Sequence, residues 1–121
     1  MESVMDERLK QAIDFSNYQQ TISIQLKQLK ERFDAKITIG YNGGLFKVDR
    51  SLISFVQMLI DQDRSENVPL LDINQTPVLI ENLNDFRDEI LDRYFSGMLE
   101  YYSEFERIKK SRSIKKLADY E

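Results

Sequence analysis

The sequence predicts an α+β fold: two long terminal helices that pair antiparallel, with two β-hairpins and one short buried helix between them. Three observations carry this. Apolar residues recur at alternating spacings of three and four over residues 3–33, and again from residue 83 to at least 112, the periodicity of a one-faced helix. Residues 36–48 and 70–80 each read as strand, turn, strand. Between them, residues 50–62 are apolar on most sides. A chain of 121 residues has room for one domain spanning 1–121.

In the first helix, Ala12, Phe15, Ile22, Leu26, Leu29 and Phe33 form the stripe, interrupted by Gln19 and weakening backwards through Arg8 and Met5. Lys36-Ile37-Thr38-Ile39-Gly40 then alternates as a strand, and Leu45-Phe46-Lys47-Val48 alternates again. Asn42-Gly43 between them supplies the positive φ angles that a two-residue hairpin turn needs. A glycine-rich phosphate cradle would require a helix directly after the glycines, and a strand follows instead. Asp49 is positioned to cap the next helix. Leu52, Ile53, Phe55, Val56, Leu59 and Ile60 mark it as the most buried of the three.

Residues 61–68 read as a polar loop, and the second hairpin follows, with Pro77 suited to a strand start or an edge. Asn82 or Asn84 caps the last helix, whose stripe is Leu83, Phe86, Ile90, Tyr94, Met98, Tyr101, Phe105 and Ile108. Gly97 is a weak spot in it, worth about 1 kcal/mol against alanine.

Composition excludes more than it identifies. The chain has no histidine and no cysteine, which removes the commonest general base, the thiolate nucleophile and the usual zinc ligands. No catalytic residue, cofactor or metal is expected, and the reading is a non-enzyme. The nearest approach to a metal motif is Asp61-x-Asp63-x-Ser65 with Asp72 eleven residues after Asp61, part of a calcium-loop spacing. Glu66 replaces the turn glycine and Pro69 interrupts the loop, so solvated loop acids are expected instead. No run of about 18 apolar residues would span a membrane, and the acidic start, Met1 to Glu7, lacks a secretory apolar block. A cytoplasmic location is expected.

Net charge is −4, but residues 107–116 hold Arg107, Lys109, Lys110, Arg112, Lys115 and Lys116 with no acid, leaving −10 on the rest. An acidic body with a basic end suits an acidic partner or self-association. The acids Asp85, Asp88 and Glu89 at the start of the last helix, and the bases at its end, also complement the helix dipole.

Two resemblances follow. The order long helix, hairpins, long helix resembles the prefoldin subunit plan, to which the helix at 50–62 is extra. The segments Tyr41-Asn42-Gly43-Gly44-Leu45-Phe46-Lys47-Val48, Leu71-Asp72-Ile73-Asn74, Pro77 to Leu83 and Tyr101 to Lys110 resemble small proteins of T-even-like tailed bacteriophages. That resemblance implies a virion, assembly or accessory role, located in the virion, and brings no catalytic residues.

The functional expectation is a protein–protein interaction module, with a protein partner or a homo-oligomer. Val4, Ile24, Leu91, Phe95 and Tyr102 lie off the main seams, and off-seam apolar residues need a β layer or a partner. The expected contact is Phe15, Tyr18, Tyr101, Tyr102 and Phe105, edged by the basic residues. Tyr101 and Tyr102 are adjacent, so both cannot face one seam. The alternatives are a nucleic-acid-associated accessory factor acting through the basic helix end, and a small regulator that binds a host protein.

Overall fold

A computed structural model describes residues 2–120, with side chains for residues 6–111. The element order is α1 (Glu2–Lys36), β1 (Thr38–Tyr41), β2 (Gly44–Lys47), α2 (Arg50–Asp61), β3 (Glu66–Leu71), β4 (Pro77–Asn82) and α3 (Leu83–Tyr120). The strands form two separate antiparallel pairs, β1 with β2 and β3 with β4. The α+β class, the two long terminal helices and the paired hairpins are therefore as the sequence predicts.

The chain divides into two compact units, residues 1–31 with 102–121, and residues 32–101. In the first, Ile22, Leu29 and Ile108 are buried. Leu26 is half-buried, while Ala12 and Phe15 are exposed, so the α1 stripe fades toward its start.

The second unit holds the main core. Ile37, Ile39, Phe46 and Val48 from the first hairpin meet Leu70, Val78 and Ile80 from the second, with Val56 of α2 and Leu83, Phe86 and Ile90 of α3. The Phe86 ring is central: Tyr41 meets it edge-on at 4.8 Å and Phe46 at 5.3 Å, a favoured aromatic geometry. Within this unit α1 and α3 run antiparallel. The Phe33 and Tyr101 rings meet at 5.1 Å, Lys36 pairs with Glu100, and Ile37 lies over Gly97.

The first turn forms as predicted, with φ +48° at Asn42 and +82° at Gly43, the paired positive angles of a type I′ hairpin. Asp49 caps α2 by accepting from the N–H of Leu52 at 2.9 Å. Asn82 caps α3, its Oδ1 accepting from the N–H groups of Asn84 and Asp85. Pro77 is the first residue of β4, where its missing donor costs least.

Three expectations need correction. Helix α1 runs to Lys36 rather than residue 33. The N–H of Ile37 reaches the Phe33 carbonyl at 3.0 Å and the Thr38 hydroxyl donates to the Asp34 carbonyl at 2.8 Å, which carries the last turn onward. The second hairpin begins at Glu66, inside the stretch read as loop, with Glu66 opposite Asn82 and Val68 opposite Ile80. Polar residues hid this strand, and Asn67 takes φ +52° within it. Helix α2 is not apolar-buried on most sides: Val56 is fully buried and Leu52, Ile53, Leu59 and Ile60 pack against the core, while Phe55 and Met58 are exposed. The hairpins and the start of α3 meet α2 on one side, so its other face stays uncovered.

Candidate functional site

The acids that approximate a calcium loop each have a structural task. Asp61 accepts from the Gln57 side chain at 2.9 Å. Asp63 takes φ +59° just past α2. The N–H of Arg64 bonds the Leu59 carbonyl at 2.9 Å and that of Asp63 the Ile60 carbonyl at 3.0 Å, the two bonds of a Schellman helix end. Asp72 is 7% exposed and faces backbone donors. Its Oδ1 accepts from the N–H groups of Asn74 and Thr76, both at 2.9 Å, and its Oδ2 from the N–H of Leu45 at 3.1 Å. The Thr76 and Leu45 hydrogen bonds, and then that of Asn74, hold its carboxyl below the ordinary aspartate range against the opposing effect of desolvation.

Among the described residues, no group of three or more His, Cys, Asp or Glu converges to hold a metal ion. A surface groove of about 590 Å³ lies beside this segment, lined by Leu59, Asp63 to Pro69. Asp63 at its edge terminates α2, and the groove opens to solvent.

The expected contact residues separate into two groups. Tyr101 is half-buried against Phe33, whereas the adjacent Tyr102 is 63% exposed, so the two tyrosines face different ways as their adjacency requires. Phe15 is exposed, Tyr18 and Phe105 are half-buried, and all three take part in interactions within the protein. Of the basic cluster, Arg107 pairs with Glu104 at 2.9 Å on the same helix. Lys109 and Lys110 are exposed. The side chains of Arg112, Lys115 and Lys116 lie outside the described residues.

Among the described residues, an open apolar row lies on α3. Phe95 is 58% exposed and Leu99 69%, and Tyr102 continues them at 63%. Spacings of four and three put these on one helix face, opposite the buried row Leu83, Phe86, Ile90 and Gly97. Before them on the same face come Asp85, Asp88 and Asp92, and after them Lys109 and Lys110, all exposed. The acidic start of α3 acts on its surroundings. Burial first, and then the negative charges of Glu89, Asp85 and Glu81, push the Tyr41 hydroxyl above its ordinary pKa.

Sequence reading had marked Phe95 and Tyr102 as off the seam but missed Leu99, the residue that joins them into a row. The signal was the spacing Phe95-x3-Leu99-x2-Tyr102, hidden because the stronger stripe through Tyr94, Met98 and Tyr101 overlaps it. Leu71, Ile73 and Leu79 on the second hairpin were also missed as exposed apolar side chains.

Among the described residues, no helix is long and apolar enough to cross a membrane. Comparison with family models, with curated proteins and with solved structures yields no match.

Proposed function

We propose that this protein is a non-enzymatic protein–protein interaction module whose contact surface is the outward face of α3 from Phe95 to Tyr102. The observation that supports it most is the row itself: Phe95, Leu99 and Tyr102, each more than half exposed, on one face of a helix. Single exposed apolar residues are ordinary, but a row of large ones marks a surface that a partner covers. Charge at both ends of the row adds selectivity and speeds encounter. The lack of histidine and cysteine agrees with a role in binding. The phage resemblance of the sequence suggests a virion or assembly setting for such a module.

A second reading rests on the exposed Lys109 and Lys110 beyond the row: attachment to nucleic acid through the basic end of α3. It requires binding that weakens steeply as salt rises.

The test of the first reading is affinity purification of the full chain from its native source, comparing wild type with Leu99→Asp and Tyr102→Asp. Copurifying chains that disappear in both variants, with helical circular dichroism unchanged, support the α3 surface. An identical set of chains in wild type and folded variants overturns it.

A further inference from the structure

We infer that Asn42 is a site of spontaneous chemical modification, and that its conversion to a carboxylate unties the first hairpin from β4. Two observations meet at this residue, and neither involves the α3 surface. Asn42 is followed by Gly43, whereas Asn17, Asn67, Asn74, Asn82 and Asn84 are followed by tyrosine, valine, glutamine, leucine and aspartate. The Asn42 Nδ2 also donates to the Leu79 carbonyl at 2.9 Å, across 37 residues of chain. A carbonyl oxygen only accepts, so the atom facing it must be the amide nitrogen.

The reactivity comes from the glycine. The backbone nitrogen after an asparagine can attack that asparagine's side-chain amide carbon and close a succinimide ring. A side chain on the following residue shields that nitrogen, and glycine has none. A Cβ at Gly43 would meet nothing within 4 Å, and Asn42 and Gly43 are both exposed, so water reaches the site. The ladder ends at the Tyr41–Gly44 pair, which leaves Asn42 and Gly43 as the turn itself. Hydroxide takes the proton from the Gly43 N–H, and the nitrogen bonds to Asn42 Cγ. The Cγ–Nδ2 bond breaks, and Nδ2 takes a proton from water and leaves as ammonia. Water then opens the ring at either carbonyl, giving aspartate or isoaspartate. The sum is amide plus water to carboxylic acid plus ammonia, without change of oxidation state.

The nitrogen that leaves is the one that holds Leu79. The two hairpins are tied by Asn42 with Leu79 and by Leu45 with Asp72 and Ile73. Modification removes the first tie and leaves the second. The new carboxylate has no donor for the Leu79 carbonyl. It also adds negative charge beside Tyr41, where Glu89, Asp85 and Glu81 already act. Aspartate keeps the turn, because Asp-Gly suits it as Asn-Gly does. Isoaspartate adds a methylene to the backbone and disturbs the paired positive φ angles as well. The tie in turn sets the pace of the reaction. The amide carbon must close on the Gly43 nitrogen, and both the turn and the bond to Leu79 restrain it.

The experiment incubates the full purified chain at mildly alkaline pH, folded or unfolded in urea. Peptide mapping follows the amide-to-acid mass change, and enzymatic methyl transfer detects isoaspartate. In the folded chain, Asn42 should convert several-fold faster than any other asparagine, and several-fold more slowly than in the unfolded chain. Aged protein and fresh Asn42→Asp should both unfold at lower urea than fresh wild type. Should Asn42→Asp fail to fold, wild type compared before and after the mass change gives the same reading. Conversion at Asn42 no faster than at the other asparagines overturns the site. Equal rates in the folded and unfolded chain overturn the tie to Leu79, as does an acid form as stable as the amide form.

Discussion

The backbone N–H of Leu45 donates to the Asp72 carboxylate at 3.1 Å, while the Leu45 carbonyl accepts from the N–H of Ile73 at 2.9 Å. One residue of the first hairpin is thus held by the turn of the second, and the same carboxylate closes that turn through Asn74 and Thr76.

Asp72→Asn should therefore lower stability at neutral pH. The amide keeps one acceptor oxygen but turns an N–H₂ group toward backbone donors. The pH dependence follows from the lowered pKa of Asp72. A carboxyl with a depressed folded pKa stabilises the fold above its unfolded value, about 3.9, and that stability is lost as pH falls through the folded value. Urea midpoints across this range should fall with acidity in wild type, and the part due to Asp72 should be missing in Asp72→Asn. Equal midpoints for the two proteins at neutral pH would show that the junction contributes nothing.

Gly43→Val should destabilise the unit of residues 32–101 by about 1–2 kcal/mol, the usual cost of a left-handed backbone with a side chain. A Cβ at Gly43 would meet nothing within 4 Å, yet φ there is +82°. The loss is therefore a backbone effect, free of any clash. Gly40→Ala is the control: its Cβ would make only an ordinary contact, 3.9 Å from the Gly44 carbonyl. Equilibrium unfolding in urea separates the two, and matching midpoints would refute the turn's role.

Gly97→Ala sets two effects against each other. Alanine gains about 1 kcal/mol of helix propensity, but its Cβ would approach Ile37 Cγ2 at 2.9 Å and Phe33 at 3.5 Å. Overpacking a filled core costs about 1–3 kcal/mol, and the branched Ile37 side chain cannot swing aside cheaply. A net loss is expected. In a double-mutant cycle with Ile37→Ala, the alanine at 97 should become less harmful or favourable. Strict additivity would mean that Gly97 is not there for the close approach of Ile37 to α3.

What the sequence disclosed was what depends on neighbours along the chain. Asn42-Gly43 specifies its own turn, Asp49 and Asn82 cap the helices they precede, and the three-four periodicity places the long helices. The role of Asp72 was not legible, because its partner Leu45 lies 27 residues away and nothing local reports that encounter. Composition also made α2 look deeply buried, since apolar content does not say how many faces the fold can cover. Phe55 and Met58 are exposed for that reason. Gly97 read as a defect because helix propensity is local, while the Ile37 methyl that needs the space comes from the residue just past α1, far away along the chain. Of the two adjacent tyrosines, periodicity puts Tyr101 on the main stripe of α3 and Tyr102 off it, and the half-buried Tyr101 and exposed Tyr102 follow that order.

The central claim is that the outward face of α3 is covered when the protein works. The chain contains no cysteine, so Leu99→Cys carries a single thiol at the middle of that face, and Ser51→Cys supplies an exposed reference on α2. Thiol labelling rates should be measured for both, in dilute purified protein and in cells of the native source. The account predicts similar rates for the two sites in the dilute protein and selective protection at position 99 in the cell. Equal labelling at both positions in the cell, with the variants folded, would contradict it.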